Sequence, residues 1–296
     1  MKRIDPADLA VFLAIATHRS FRRAAVDLGV TASALSHALR GLEERLGLRL
    51  INRTTRSVAL TEAGQQLYQR LGPAFRDIDD AIEDLNAFRG APSGTLRINA
   101  AASSARMVLL PMVMRFLKSY PDIQVEIAVD TALVDVVSAG FDAGIRFGEV
   151  IAGDMIAVPI GPRQRSAIIA APPYFTRYAI PNEPRDLLRL PCIRYRFPSG
   201  AFYRWEFERG GTELEIEVDG PLVLSDQDLM IDAALAGSGI AYVFEGLALS
   251  DLTAGRLIRV LEDWCPYYPG FFIYYPSRRQ VPAALRAFLD FIRLPA

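Results

Sequence analysis

Ser33, Ser36, His37 and Arg40 share one stripe if residues 32–46 form a helix. With 3.6 residues per turn they cover a band about 100° wide, and Leu35, Leu39 and Leu42 fall on the opposite side. Such a helix buries one face and presents the other. The presented face is short and polar, whereas a merely solvated face usually carries more Glu and Lys. Small residues let a helix backbone settle into a major groove, where Ser, His and Arg side chains reach base edges or phosphates. The competing reading is the wet face of an ordinary helical bundle. The segment that follows favours nucleic acid. Leu50-Ile51-Asn52-Arg53 and Val58-Ala59-Leu60 are two short apolar runs around Thr54-Thr55-Arg56-Ser57. They read as a hairpin with basic, hydroxyl-rich strand ends. A wing of this kind places Arg53, Thr54 and Arg56 at phosphates or in the minor groove.

The elements that would hold these side chains are also legible. Leu9, Phe12, Leu13 and Ala16 recur at helical spacing. Ser20 is an N-cap candidate for a second helix, Phe21 to Leu28, which Gly29 ends. Thr31 caps the third helix, and with it belongs among the DNA-facing candidates; Gly47 stops that helix after Leu46. Two helices joined by Gly29-Val30 make a helix-turn-helix pattern. Charge agrees. The 296 residues carry a formal net charge of −1, but residues 1–61 hold ten basic and five acidic residues, a net of +5, leaving −6 for the rest. Such asymmetry points toward nucleic acid or a membrane surface.

From Thr61 a long helix is expected. Leu67, Leu71, Phe75, Ile78, Ile82 and Leu85 recur at steps of three and four, an apolar seam suited to pairing with a second chain. Gly72-Pro73 conflicts with that helix and predicts a kink or a helix in two pieces. Gly90-Ala91-Pro92-Ser93-Gly94 is a hinge by composition. Beyond it strands alternate with helices. Strands are expected at Thr95–Asn99, Ile123–Val129, Asp142–Phe147, Ser166–Ala170, Cys192–Arg196, Glu213–Val218, Ile240–Val243, Leu257–Leu261 and Phe271–Tyr275. Helices are expected at Arg106–Tyr120, Leu133–Ala139 and near Asp226–Ala236, Gly246–Ala254 and Pro282–Arg293. The alternation predicts one or two small α/β lobes.

Several function classes lose support. Gly237-Ser238-Gly239 lacks a third glycine and a preceding strand in the order a dinucleotide site requires, and no Walker A, H-E-x-x-H or G-x-S-x-G motif occurs. The two histidines, His18 and His37, lie in the basic segment and leave no His-based triad or metal site elsewhere. Cys192 and Cys265, 73 residues apart, read as two inert buried thiols. The N-terminal residues lack the pattern of a secretory signal, and no apolar run is long enough to span a bilayer, so a cytoplasmic location with no membrane partner is expected.

Residues 7–65 resemble the DNA-binding domain of the LysR-type transcriptional regulators. The resemblance is carried by Phe12, Ser20-Phe21, Ala24-Ala25, Leu28, Val30-Thr31, Ser33-Ala34, Ser36, Leu42-Glu43, Leu46-Gly47, Leu50, Arg53 and Leu60-Thr61-Glu62-Ala63-Gly64. Gly94-Thr95-Leu96-Arg97-Ile98, Leu109-Leu110-Pro111 with Phe116 and Tyr120-Pro121, Phe141-Asp142-Ala143-Gly144 and Ala236-Gly237-Ser238-Gly239-Ile240-Ala241 resemble the family's effector domain. The resemblance implies a winged helix-turn-helix over 1–61, a linker and dimerisation helix over 62–89, a hinge at 90–94 and a periplasmic-binding-protein-like α/β domain over 95–296. That domain would have lobe I at about 95–163 and 269–296, and lobe II at about 164–268. It implies double-stranded promoter DNA, a small and often anionic effector, a homodimer or dimer of dimers, and RNA polymerase as partners. No other cofactor and no metal is expected. By the same resemblance Ser104 is an effector-contact position, with Ser103 beside it; Ser225, Asp226, Thr131 and Arg146 are further candidates. Ser103 and Ser104 are expected just before a helix, where free N–H groups suit an anion. Phe202, with Tyr203 and Trp205, would form an aromatic cleft wall or pack in the core. Many relatives carry Arg or Gln where this chain has His37 and Ala38, which bears on base preference rather than on DNA binding. An enzyme or a cytoplasmic solute-binding protein on the same two-lobed fold is the alternative reading.

Overall fold

Local caps define the first three helices of the computed structural model, which describes residues 4–53, 58–86, 92–130, 136–147, 155–277 and 281–293. Helix α1 (Pro6–His18) opens with Pro6 at its first position and the Asp5 carboxylate accepting the Ala7 N–H at 2.9 Å. Helix α2 (Phe21–Asp27) is capped by Ser20, and α3 (Ala32–Leu46) by Thr31, which accepts the Ala34 N–H at 3.2 Å. Gly47 ends α3 at φ 67°, a left-handed conformation that a residue with a Cβ adopts only under strain. Phe12, Ile15, Ala24, Leu35, Leu39 and Leu42 close on one another as a core. Strands β1 (Ile51–Arg53) and β2 (Val58–Leu60) pair antiparallel, Ile51 opposite Leu60 and Arg53 opposite Val58. Thr54 and Arg56 lie outside the described residues.

Helix α4 (Glu62–Asn86) bears on the two alternatives expected at Gly72-Pro73. It is a single element of 25 residues with Pro73 inside, rather than two pieces. The proline removes one backbone hydrogen bond, but the turns before it are anchored, because Ala63, Leu67, Tyr68 and Leu71 pack on the core of the N-terminal domain. The start of α4 is pinned to the wing. Thr61 N–H donates to Leu50 O at 2.9 Å, its hydroxyl donates to Arg49 O at 2.7 Å, and the Gly64 N–H donates to that hydroxyl at 3.0 Å. Gly64 faces the β1 backbone so closely that an added Cβ would stand 2.0 Å from Leu50 O. The Thr61-Glu62-Ala63-Gly64 run is thus a joint between helix and wing.

The chain divides into two compact units, Met1–Ala91 with Val137–Gly140, and Pro92–Val136 with Phe141–Ala296. In the second, β3 (Gly94–Ala100) is flanked by parallel partners β4 (Ile123–Val129) and β5 (Ala143–Phe147). Strand β14 (Phe271–Pro276) runs antiparallel between β5 and β6 (Met155–Ile160), giving the order β4-β3-β5-β14-β6. Leu96, Ile98, Ala100, Ile145 and Ile273 fill the core on one face beneath Phe116 and Phe288. Those two rings meet edge-on at 5.1 Å. Strand β6 was not expected from the sequence, because Pro159 breaks its pattern. It is an edge strand, where a missing N–H is tolerated.

The second sheet is centred on β7 (Ser166–Ala170), buried along its whole length, between β12 (Ala241–Phe244) and β13 (Ile258–Val260). A parallel pair, β8 (Ile193–Tyr195) and β11 (Leu222–Leu224), and a hairpin, β9 (Trp205–Arg209) with β10 (Thr212–Ile216), complete this lobe. Alternate residues of β7 feed two cores. Ala167 and Ile169 pack with α8 (Gln227–Leu235) and α9 (Glu245–Thr253), while Ile168 and Ala170 pack with Trp205, Phe207 and Trp264. The chain crosses between the sheets after β6 and again before β14. The crossings are zipped together, Gln164 N–H to Tyr268 O at 3.1 Å and Tyr268 N–H to Gln164 O at 2.8 Å.

The helical stretch after β3 starts earlier than expected. It comprises α5 (Ala102–Ser104), a wide π-type turn over Ala105–Leu109 and α6 (Leu110–Ser119). Ser103 and Ser104 therefore sit in the first turn, behind an Ala101 N-cap, rather than before the helix. The wide turn immediately precedes Pro111, which has no N–H to give to the turn before it. Helices α7 (Val136–Ala139) and α10 (Ala283–Arg293) and three 3-10 turns, Pro172–Thr176, Pro184–Arg189 and Glu262–Trp264, complete the described elements. Among the described residues no helix is long and apolar enough to cross a membrane.

Candidate nucleic-acid interface and effector cleft

The α3 stripe is present in the structure. Thr31, Ser33, His37 and Arg40 are exposed and Ser36 is half-buried, while Leu35, Leu39 and Leu42 are buried behind them. Two side chains tie this helix to the wing. The Glu43 carboxylate accepts the N–H groups of Leu50 at 2.8 Å and Ile51 at 3.1 Å. Arg53 on β1 reaches back, donating from Nη1 to Ser36 Oγ at 3.4 Å, with its guanidinium 4.2 Å from the centre of the Phe21 ring. Burial holds the Arg53 guanidinium below the usual arginine range, Glu43 opposes that, and nearby Arg40 adds to it. A groove of about 550 Å³, lined in part by Arg40, Glu43, Arg49 and Arg53, runs beside the C-terminal half of α3. The Arg45–Asp8 ion pair braces α3 against α1 on the other side.

The effector candidates divide into committed and open groups. Ser104 is completely buried and its hydroxyl donates to Ala101 O at 3.0 Å; Ser103 is half-buried. Arg146, 8% exposed, donates to Ile145 O at 2.7 Å, Asn99 Oδ1 at 2.6 Å and Asp130 O at 3.1 Å. Burial lowers its basicity, and Tyr274 and Asp130 oppose that shift. Asp226 caps α8, accepting the Leu229 N–H at 3.0 Å, and Ser225 beside it is exposed. Phe202 lies against β8 with the Arg194 guanidinium 3.6 Å and the Arg196 guanidinium 5.5 Å from its ring centre. Trp205 is fully buried core, and Tyr203 packs partly buried against the same cluster. Thr131 lies outside the described residues.

The two lobes also touch. Arg106 on the wide turn pairs with Asp228 in the first turn of α8 at 3.1 Å. Met107 closes on Gly246, where a Cβ would stand 2.6 Å from the methionine methyl carbon, and Phe147 stacks on Phe244 at 5.2 Å. Beside the crossings Glu245 pairs with Arg165 and Arg259, which hold its carboxyl below the usual range against the opposing effect of burial.

Residues 6–65 match the bacterial regulatory helix-turn-helix of the LysR family, and residues 89–294 match the LysR substrate binding domain. The HTH-type transcriptional regulator YcaN of Escherichia coli K12 is 47% identical over 98% of this chain and 95% of its own. The regulator PgrR of the same organism is 44% identical over 98% of this chain and 97% of its own. The chain belongs to the LysR-type transcriptional regulators. Among solved structures, CrgA, a LysR-type regulator from Neisseria meningitidis, is 27% identical and superposes at a TM-score of 0.60, covering 98% of each chain. The protein is thus a DNA-binding transcriptional regulator with an effector-binding domain, and the relatives named above are transcriptional regulators.

In this LysR-type regulator the seam of α4 falls into a packed part and an exposed part. Leu67 and Leu71 pack on their own domain, Phe75 is half-buried, and Ile78 and Ile82 are 54% and 59% exposed. The Leu85 side chain lies outside the described residues. Cys192 and Cys265 are free and buried. Burial pushes their thiols up, to about 12 and about 11 respectively, so neither carries thiolate at neutral pH. Among the described residues no group of three His, Cys, Asp or Glu is placed to hold a metal. Arg106, Asp228 and Asn99 were not singled out from the sequence, and Glu43 entered only as part of the family resemblance. Their roles depend on partners brought together by tertiary folding.

Proposed function

We propose that this LysR-type regulator reads promoter DNA by laying α3 in the major groove, with Thr31, Ser33, Ser36, His37 and Arg40 facing the bases. The basic hairpin, including Thr54 and Arg56, lies along the adjacent backbone. The observation that carries this reading is the division of α3 into a buried leucine face and an exposed face of short polar residues plus one arginine. On a segment of net charge +5, that face offers specific contacts and the surrounding arginines offer phosphate contacts.

The rest of the assembly follows from the same geometry. Exposed Ile78 and Ile82 on α4 pair two chains, and two winged domains on one DNA raise the effective concentration of each. A small molecule bearing an anionic group binds between the lobes. It is bounded by Ser103 and Ser104 at the start of the helix after β3, by Ser225 and Asp226 at the start of α8, and by Arg146 and Phe202 nearby. It changes how the paired chains sit on promoter DNA and meet RNA polymerase. The protein works in the cytoplasm and needs no further cofactor.

Selection from a pool of randomised duplexes by the full-length chain tests this reading. An interrupted inverted repeat is expected to emerge, its half-sites a whole number of helical turns apart. A pool that stays random after repeated rounds would overturn it.

A further inference from the structure

We infer that Arg53 is a positioning residue for base recognition. It fixes the Ser36 hydroxyl as a hydrogen-bond donor toward the DNA, rather than contacting the phosphate backbone itself. This rests on α3 being the recognition helix.

The argument begins with what holds Arg53 in place. Glu43 projects from α3 and its carboxylate takes the N–H groups of Leu50 and Ile51, the residues where the wing begins. Leu50 and Ile51 are both buried. Their N–H groups would cost free energy without a partner, and a charged acceptor satisfies both. The start of β1 is therefore fixed relative to α3. Two residues further on, Arg53 leaves the strand and returns to the helices. Its guanidinium lies 4.2 Å from the Phe21 ring centre, at the first residue of α2, and its Nη1 lies 3.4 Å from Ser36 Oγ, on α3. One side chain thus spans the wing and both helices of the helix-turn-helix.

The consequence is chemical. Arginine has donors only, and a serine hydroxyl has one donor and two acceptor lone pairs. Arg53 takes one acceptor lone pair of Ser36, and its positive charge disfavours a second donor approaching the other. The hydroxyl proton is left to point elsewhere, and Ser36 lies between Ser33 and Arg40 on the presented stripe. Facing a base edge, it donates. In the major groove the acceptors are N7 and O6 of guanine, N7 of adenine and O4 of thymine; cytosine offers the N4 amino donor instead. Serine alone reads either kind of edge. Serine braced by Arg53 favours an acceptor and disfavours cytosine on the strand it faces. A lysine at 53 would keep the charge, but a compact ammonium does not both stack on Phe21 and meet Ser36 in the manner of a planar guanidinium.

Full-length protein is titrated with its selected duplex and with the duplex set carrying each base pair in turn at every half-site position, over a range of salt. Wild-type, Ser36→Ala, Arg53→Ala, Arg53→Lys and the Ser36→Ala/Arg53→Ala double variant are compared. The expected result is one base pair at which wild-type disfavours cytosine by about ten-fold. Ser36→Ala, Arg53→Ala and Arg53→Lys each lose that discrimination, and the double variant loses no more than either single. The slope of log affinity against log salt stays unchanged in Arg53→Lys and Arg53→Ala. The inference is overturned if Arg53→Ala weakens all duplexes alike with a shallower salt slope, as removal of a phosphate contact would. It is equally overturned if Arg53→Lys, which keeps the charge should the alanine variant fail to fold, retains wild-type discrimination. If the wild-type chain binds every duplex equally, the reading of α3 itself fails. If wild-type discriminates but Arg53 variants do so undiminished, only the role of Arg53 fails.

Discussion

Replacing Gly64 with alanine sets two physical effects against each other. Helix propensity alone says the variant is more stable, because alanine in a helix interior is favoured over glycine by about 1 kcal/mol. The structure says the opposite. The new Cβ would stand 2.0 Å from Leu50 O, 2.9 Å from Leu50 C and 3.3 Å from Leu50 Cα, all backbone atoms. No rotamer change relieves that contact. Either α4 or β1 must retreat by more than about 1 Å, since carbon and oxygen need a little over 3 Å. Retreat stretches the Thr61 N–H to Leu50 O bond and the Thr61 hydroxyl bond to Arg49 O, now 2.9 Å and 2.7 Å. Overpacking costs about 1–3 kcal/mol and a weakened hydrogen bond about 1 kcal/mol. Set against the propensity gain, the net loss is about 1–3 kcal/mol. In a domain of this size each kcal/mol lowers the midpoint by roughly 4–8 °C. Calorimetry of the full chain should show the transition of the N-terminal unit falling by about 5–20 °C while that of the second unit holds. A midpoint that rises would show that the helix-to-wing joint is not as close as described.

Three other outcomes follow from the geometry. Ile78→Asp with Ile82→Asp should shift sedimentation from dimer toward monomer while the N-terminal unit melts normally, because neither residue belongs to its core; an unshifted dimer would remove α4 from the interface. Ser104→Ala, which removes a buried hydroxyl bonded to Ala101 O at the proposed effector site, should cost about 1 kcal/mol of stability and blunt effector-dependent transcription; an unchanged response would move the effector site elsewhere. Glu245→Gln should destabilise the second unit by roughly 1–3 kcal/mol at neutral pH. The Glu245 carboxyl is held below its ordinary value of 4.5, so its stabilisation is present above that value and is lost as pH falls through the lower, folded one. The gap between wild-type and variant should therefore close below about pH 4.5, and a gap that persists there would contradict the ion-pair account.

Legibility in the sequence tracked the range of the interactions. Ser20, Thr31, Gly29 and Gly47 announce helix ends because caps are local, and the two faces of α3 follow from period alone. The continuous burial of β7 was equally plain, since Ser166-Ala-Ile-Ile-Ala has no polar alternation to place on a surface. What the sequence hid depends on distant partners. Pro73 looked like a break, yet the turns before it are held by a core assembled from α1, α2 and α3. Leu67 and Leu71 carry the same periodicity as Ile78 and Ile82, and only their packing shows that the first pair faces inward. Ser104 was expected just before a helix, and the helix instead starts at Ala102 with the Ser104 hydroxyl turned to Ala101 O. Arg53 resembled any basic wing residue, and its stacking on Phe21 is a contact between residues 32 positions apart. Strand β9, which was not among the expected strands, alternates Trp205-Glu206-Phe207-Glu208 in a strand pattern, whereas Trp205 fills the core, one of the two places the sequence allowed it.

The central claim is that the exposed stripe of α3 reads bases. It is tested most directly by the affinity of Arg40→Ala for the selected duplex and for a scrambled duplex at one salt concentration. Arg40 is exposed at the middle of α3 and belongs to no part of the core. The account predicts a loss of about ten- to a hundred-fold on the selected duplex and a much smaller loss on the scrambled one. Equal losses on both, or none on either, would contradict it.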